Sequence, residues 1–164
     1  MTAGPSGQDS AAREIVVSRR LAAAPERVWA AWTDPARIVE WWGPHGFTTT
    51  IHEMDVRAGG IWRHTMHGPD GTDYVNNVRF LEVDEPRRIV YAHAGGPEGV
   101  PHGGFVGTWT FEPDRDGTRL TMRLEFGSTE DRDRAAGGGA VEGGQQTLER
   151  LSTVLNGGHA GGEG

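Results

Sequence analysis

The chain has 164 residues, a formal net charge of −7 with histidine neutral, and no cysteine. That length suits one domain with a sizeable core, and the lack of cysteine excludes disulfides, thiol chemistry and Cys-based metal sites. The acidic balance argues against nucleic acid or an anionic membrane as a main partner, because phosphate groups call for a basic surface.

Residues 1–12 are small and polar and read as a disordered tail ahead of a single domain over 13–156. Arg13 to Leu21 is the first expected strand, with Ile15, Val17 and Leu21 sharing a face that Arg19 interrupts. Val28, Trp29 and Trp32, then Ile38, Trp41 and Trp42, recur at three- and four-residue spacing. They predict two short helices with one buried face each. The break between them falls at Asp34-Pro35, a capping Asp followed by proline at the first helical position. Gly43 to Gly46 ends the second helix. Phe47 to Val56 reads as strand two, and Arg57 to Gly60 as a turn in which glycine permits positive φ. Strand three, Ile61 to His67, ends at Pro69-Asp70-Gly71, where proline presets φ and glycine closes the turn. Strand four is expected from Thr72 to Val83 and strand five from Arg88 to Ala94. Gly95 to Gly103 is too rich in Gly and Pro for regular structure. Phe105 to Glu112 and Thr118 to Phe126 form a hairpin around Asp114–Gly117. In the last strand Leu120, Met122, Leu124 and Phe126 alternate with polar residues, so these four face the core. Phe105, Trp109 and Phe111 share one face of its partner. Ser128 with Asp131 three residues on starts a turn or two of helix that breaks at Gly137–Gly139. The final helix, about Ala140 to Leu155, carries Val141, Leu148, Leu151 and Leu155 on one stripe. Asn156-Gly157 caps it, and 157–164 reads as a flexible tail.

Several of these segments together resemble one family. They are Val28-Trp29, Thr33-Asp34-Pro35, Trp41-Trp42-Gly43-Pro44, Asp55-Val56-Arg57 with Gly59-Gly60, Pro69-Asp70-Gly71, Pro86 to Val90, and Gly117 to Thr121. The chain is similar, over roughly 13–156, to the homologues of the activator of heat-shock-protein ATPase, within the START/polyketide-cyclase (SRPBCC) superfamily. The resemblance implies an α+β helix-grip fold, a curved antiparallel sheet wrapped around a long C-terminal helix with two short helices after strand one and a cavity between sheet and helix. Where this chain has Gly143-Gly144, family members often carry a bulky aromatic. The pair either leaves room in the cavity or lets the helix pack close to the sheet.

In that architecture the binding site lies between the concave sheet face and the last helix, so polar groups at inward positions are the informative ones. Alternation puts Trp62, His64 and Met66 inward on strand three, Tyr74, Asn76, Val78 and Phe80 on strand four, and Ile89, Tyr91 and His93 on strand five. A β-bulge would reverse the parity of strands three and four. Trp41 and Trp42, beside the Gly43-Pro44 loop, are candidates for a cavity wall, and Trp109 and Leu148 complete the expected lining. His64 and His93 are the candidate acid or base groups, since histidine titrates near neutral pH. The plainer role for each is a hydrogen bond at the cavity edge. Tyr74 and Tyr91 can donate to a ligand carbonyl or simply fill the core. His52, His64 and His67 with Glu53 do not make a metal set, because His64 and His67 point to opposite strand faces. No phosphate loop, nucleophile elbow or dinucleotide fingerprint occurs, and no cofactor is expected.

The reading that follows is a protein binding a small, largely apolar organic ligand. The alternative is a cyclase- or hydrolase-like enzyme in which His64 or His93 moves a proton. A chaperone-regulating interaction domain is the third reading. The twelve or so residues ahead of the first strand count against it, because the activators that lend the family its name carry a separate N-terminal chaperone-binding domain. No apolar run approaches the ~20 residues that cross a bilayer, and no signal-peptide pattern opens the chain, so a cytoplasmic protein is expected. All sixteen basic residues are arginine, which points to a GC-rich, bacterial coding sequence rather than to a function. Monomer and homodimer are both left open. Gly43–Gly46 and Gly95–Gly103 are expected to form a mobile mouth, with His45 and His102 at its rim.

Overall fold

The computed structural model describes residues 11–93 and 104–157; the sequence-based expectations for 1–10, Gly95–Gly103 with His102, and 158–164 lie outside the described residues. Seven strands make one antiparallel sheet: β1 (Glu14–Leu21), β2 (Thr48–Met54), β3 (Ile61–His67), β4 (Asp73–Asp84), β5 (Arg88–His93), β6 (Phe105–Asp114) and β7 (Gly117–Phe126). Their order across the sheet is β1-β7-β6-β5-β4-β3-β2. Helices α1 (Pro25–Thr33) and α2 (Pro35–Ile38) carry the chain between the two edge strands, and α3 (Thr129–Gly137) and α4 (Ala140–Leu155) follow β7. This is the α+β helix-grip arrangement, with the curved sheet closing on the C-terminal helix.

Local chemistry accounts for the boundaries. Asp34 Oδ1 accepts from the Ala36 N–H at 3.0 Å and Pro35 opens α2, satisfying a donor that the first helical turn leaves free. The helix proper ends at Ile38, four residues before the expected Trp42, and a looser turn continues it with the Trp42 N–H on the Ile38 carbonyl. Ser128 Oγ accepts from the Asp131 N–H at 3.0 Å and starts α3. Gly139, at φ 97°, separates α3 from α4 in a backbone region that only glycine enters freely.

Two bulges set the facing of the sheet. Between Ile51 and Glu53 the β2–β3 register shifts, which leaves His52 unpaired, while Ile51 and Met54 both lie opposite inward residues of β3. Between Phe80 and Glu82 the β4–β5 register shifts in the same way, and the extra residue, Leu81, is half exposed. Because that bulge follows Phe80, the inward parity of Tyr74, Asn76, Val78 and Phe80 is undisturbed. β6 and β7 pair Phe105 with Phe126, Trp109 with Met122 and Phe111 with Leu120, which delivers one apolar face along the whole hairpin.

Trp32 of α1 stands at the centre of the core. Its ring centroid lies 5.4–6.3 Å from those of Trp42, Trp62, Phe80, Tyr91 and Trp109, the range in which tilted aromatic pairs attract. α4 buries Leu148, Leu151 and Leu155, while Val141 is half-buried. The Gly143-Gly144 pair is there for close packing. A Cβ on Gly144 would come within 2.8 Å of Met122 Cε and 3.2 Å of Val17 Cγ2, and one on Gly143 within 3.2 Å of Pro44.

Candidate functional site

A cavity of about 630 Å³ opens between β3–β7, the first half of α4, the α3–α4 junction and residues 42–47. Nine of the residues expected to line it do so: Trp42, Trp62, His64, Met66, Tyr74, Asn76, Tyr91, His93 and Trp109. Three do not, and each has a physical reason. Trp41 is wholly buried, with its Nε1 donating to the Ala31 carbonyl at 3.1 Å, so its indole is committed to α1 and its neighbour Trp42 takes the wall. Phe80 lies parallel to Trp62, with centroids 5.9 Å apart, in the filled part of the core that Trp32 occupies. Leu148 is fully buried in that core, whereas Gly143, Gly144 and Thr147 supply the α4 surface of the cavity.

Other lining residues escaped the sequence reading. Val78, Phe105, Met122 and Leu124 were placed inward by alternation but not assigned to a site. Gly138 and Gly139 read as a helix break and Ala140 as the start of the last helix, and with Ala135 they form the wall at the α3–α4 junction. Phe47 carries no periodic signal, being the residue that enters β2.

The mouth segment is held more firmly than its composition suggests. Arg150 of α4, only 6% exposed, donates through Nη1 to the carbonyls of Gly43 (2.9 Å) and Pro44 (3.0 Å) and through Nη2 to that of Glu40 (3.4 Å). No carboxylate pairs with it among the described residues, and burial lowers its pKa. The His45 N–H donates to Gln146 Oε1 and His45 Nε2 lies 3.3 Å from Glu149. The segment 43–46 is therefore tied to α4 at several points. At the other end, Arg27 of α1 donates to the Leu155 carbonyl, answering one of the free acceptors at the end of α4.

Among the described residues no Asp, Glu, Lys or Arg contributes to the cavity wall. Asn76 Nδ2 donates to the Tyr74 carbonyl at 2.9 Å, and Asn76 Oδ1 lies 2.6 Å from His93 Nε2. Reversing the amide would set its oxygen against a carbonyl, so Nε2 of neutral His93 carries the hydrogen and Nδ1 is bare. That Nδ1, like Nδ1 of His64, is buried without a partner among the described residues. Burial pushes His93 down to about 4. Burial, and then the nearby His93 and His52, push His64 down to about 3. Both rings are thus neutral at pH 7, His64 stacked on Trp62 at 4.2 Å and His93 on Phe105 at 4.7 Å. Burial raises the Tyr91 phenol to about 12, so it stays protonated. Its oxygen accepts from Trp109 Nε1 at 3.2 Å.

The remaining β-sheet histidines lie elsewhere. His52 bonds Thr65 at 2.8 Å, and His67 bonds Thr50 and Asp73, each at 2.8 Å, on the outer side of the sheet. Among the described residues no three His, Cys, Asp or Glu side chains converge as a metal set would, and no helix is long and apolar enough to cross a membrane.

Comparison with known proteins places this geometry. No curated protein matches the chain. Among solved structures, a Mycobacterium smegmatis protein is 26% identical with a TM-score of 0.81, over 90% of this chain and 94% of its own. A protein from Arthrobacter aurescens is 28% identical, also at 0.81, over 89% of this chain and 87% of its own. The AHSA1 protein from Silicibacter pomeroyi shares the fold at 24% identity and a TM-score of 0.71, over 87% of this chain and 97% of its own. A family model described as Activator of Hsp90 ATPase homolog 1-like protein matches residues 22–156. With that match spanning the crossover helices, β2 to β7 and α4, the chain belongs to the Activator of Hsp90 ATPase homolog 1-like family.

Proposed function

We propose that this protein binds a small, uncharged and largely apolar organic ligand between the sheet and α4. The observation that carries this reading is the wall itself. Trp42, Phe47, Trp62, Tyr74, Tyr91, Phe105 and Trp109 belong to its lining, and no charged side chain among the described residues joins them. A volume of about 630 Å³ lies within the range of small-molecule pockets, whose walls are mainly apolar with a few polar groups that set orientation. An ionised ligand would lose its hydration here without gaining a counter-charge, which disfavours it strongly.

The state of the histidines weighs against proton transfer. A general base works best with a pKa near the operating pH, whereas His93 sits at about 4 and His64 at about 3. Such rings accept hydrogen bonds well enough and abstract protons poorly. The cyclase- or hydrolase-like reading therefore has less support than binding.

The test is titration with a neutral apolar dye such as Nile red. Binding should quench tryptophan emission and raise dye emission, and Leu124→Trp, which fills part of the space, should weaken it at least fivefold. Lack of dye binding by the wild-type protein would refute the reading. So would a turnover reaction whose kcat collapses in His64→Gln or His93→Gln with ligand affinity unchanged.

A further inference from the structure

We infer that the ligand carries a carbonyl group that accepts a hydrogen bond from Tyr91, making it an uncharged aryl ketone or a similar carbonyl-bearing aromatic. This rests on the binding reading above and specifies its chemistry. The wall is mostly hydrocarbon and its polar groups are few. Asn76 and His93 Nε2 are spent on each other and on the Tyr74 carbonyl. Thr147 Oγ1 is spent on the Gly143 carbonyl within α4. Tyr91 is different. Its oxygen accepts from Trp109 Nε1, and its own O–H has no acceptor among the described residues, although the residue lines the cavity and is only 3% exposed. A buried donor left without an acceptor is costly, and the cost disappears when a ligand oxygen supplies one.

Three features prepare that donor. Tyr91 lies directly opposite Gly107 in the β5–β6 ladder, and a Cβ on Gly107 would approach within 2.5 Å of its Cζ and 2.8 Å of its Oη. Glycine at this strand position lets the phenol lie flat against the β6 backbone. Trp109, two residues further along the same face of β6, is thereby brought within 3.2 Å of the phenol oxygen. An N–H donated into that oxygen polarises the O–H and strengthens the bond it gives in turn. Finally, burial keeps the phenol protonated, so it is a donor throughout the neutral range. Selection for a carbonyl follows, because a hydrocarbon of the same shape leaves the O–H unpaired.

The experiment uses a matched pair, 9-fluorenone and fluorene, which differ by one carbonyl on the same planar frame. Equilibrium dialysis at pH 7 gives Kd for each with the wild-type protein and with Tyr91→Phe. The variant should weaken fluorenone roughly three- to tenfold, the worth of one neutral hydrogen bond, and change fluorene less than twofold. Infrared spectra should show the bound fluorenone C=O stretch moved to lower wavenumber in the wild-type protein and back to its apolar-solvent position in Tyr91→Phe. The wild-type spectrum alone decides the matter if the variant does not fold. An unshifted carbonyl stretch, or equal changes for both ligands, overturns the inference and leaves the binding reading standing. Failure of both ligands to bind the wild-type protein removes the inference and the binding reading together.

Discussion

His64 and His93 are ionisable groups that the fold keeps uncharged, and this has a consequence for stability. Both have native pKa values, about 3 and about 4, below the ordinary 6.5 they regain on unfolding. As pH falls below 6.5 the unfolded chain takes up protons that the native protein refuses, so stability is fully present above that pH and drains away below it. The loss is complete only once pH has passed the native values. At pH 5 the linkage amounts to about 1–2 kcal/mol per histidine, in a window where most carboxylates have yet to titrate. Urea unfolding at pH 7 and pH 5 should show this loss in the wild-type protein and a much smaller one in a His64→Gln, His93→Gln double variant. Equal losses in the two proteins would mean that the histidines are not held neutral. The same residues show what alternation can reveal. Period two placed His64 and His93 inward, but nothing local indicated that Asn76 would fix one nitrogen of His93 and leave the other bare. That pairing joins β4 to β5 and is a fact of register.

At the scale of elements, α4 joins two kinds of packing that opposite substitutions probe. Leu151 is fully buried at the middle of the stripe, and Leu151→Ala should cost about 2–5 kcal/mol through lost contact and the void left behind. Gly144 has the reverse problem, since its missing side chain is replaced by Met122 and Val17. Gly144→Leu should cost about 1–3 kcal/mol by overpacking, outweighing the ~1 kcal/mol that helix propensity returns. Chemical denaturation of each variant checks both figures; a change below half a kcal/mol at either position would mean that α4 does not seat as described. Sequence periodicity located α4 over its full length, because four apolar residues at helical spacing and a Gly139 break are strong local signals. It could not choose between room and closeness at Gly143-Gly144, since that depends on how near β1 and β7 stand. Arg150 was likewise invisible, a charged residue on a helix whose partners are carbonyls more than a hundred positions away. Trp41 and Trp42 are adjacent in sequence, and only the Ala31 carbonyl decides which of them turns to the cavity.

For the whole molecule the governing feature is a sheet that curves around more space than its own core fills. α1, α2 and the turn after α2 plug one end with Trp29, Trp32 and Trp41, and α4 closes the side over β1, with Gly144 close to Met122 of β7. What remains is the cavity under α3 and the 42–47 segment. The protein's six tryptophans sort themselves on this plan. Trp42, Trp62 and Trp109 line the cavity, while Trp29 lies away from it against Phe111, with centroids 5.1 Å apart. Their indole N–H signals in a nitrogen–proton correlation spectrum therefore report where a ligand sits. Titration with 9-fluorenone should move the signals of Trp42, Trp62 and Trp109 in a saturable way and leave that of Trp29 in place. Signals that do not respond, or a response confined to Trp29 and the outer-face amides around His52 and His67, would contradict a ligand site between the sheet and α4.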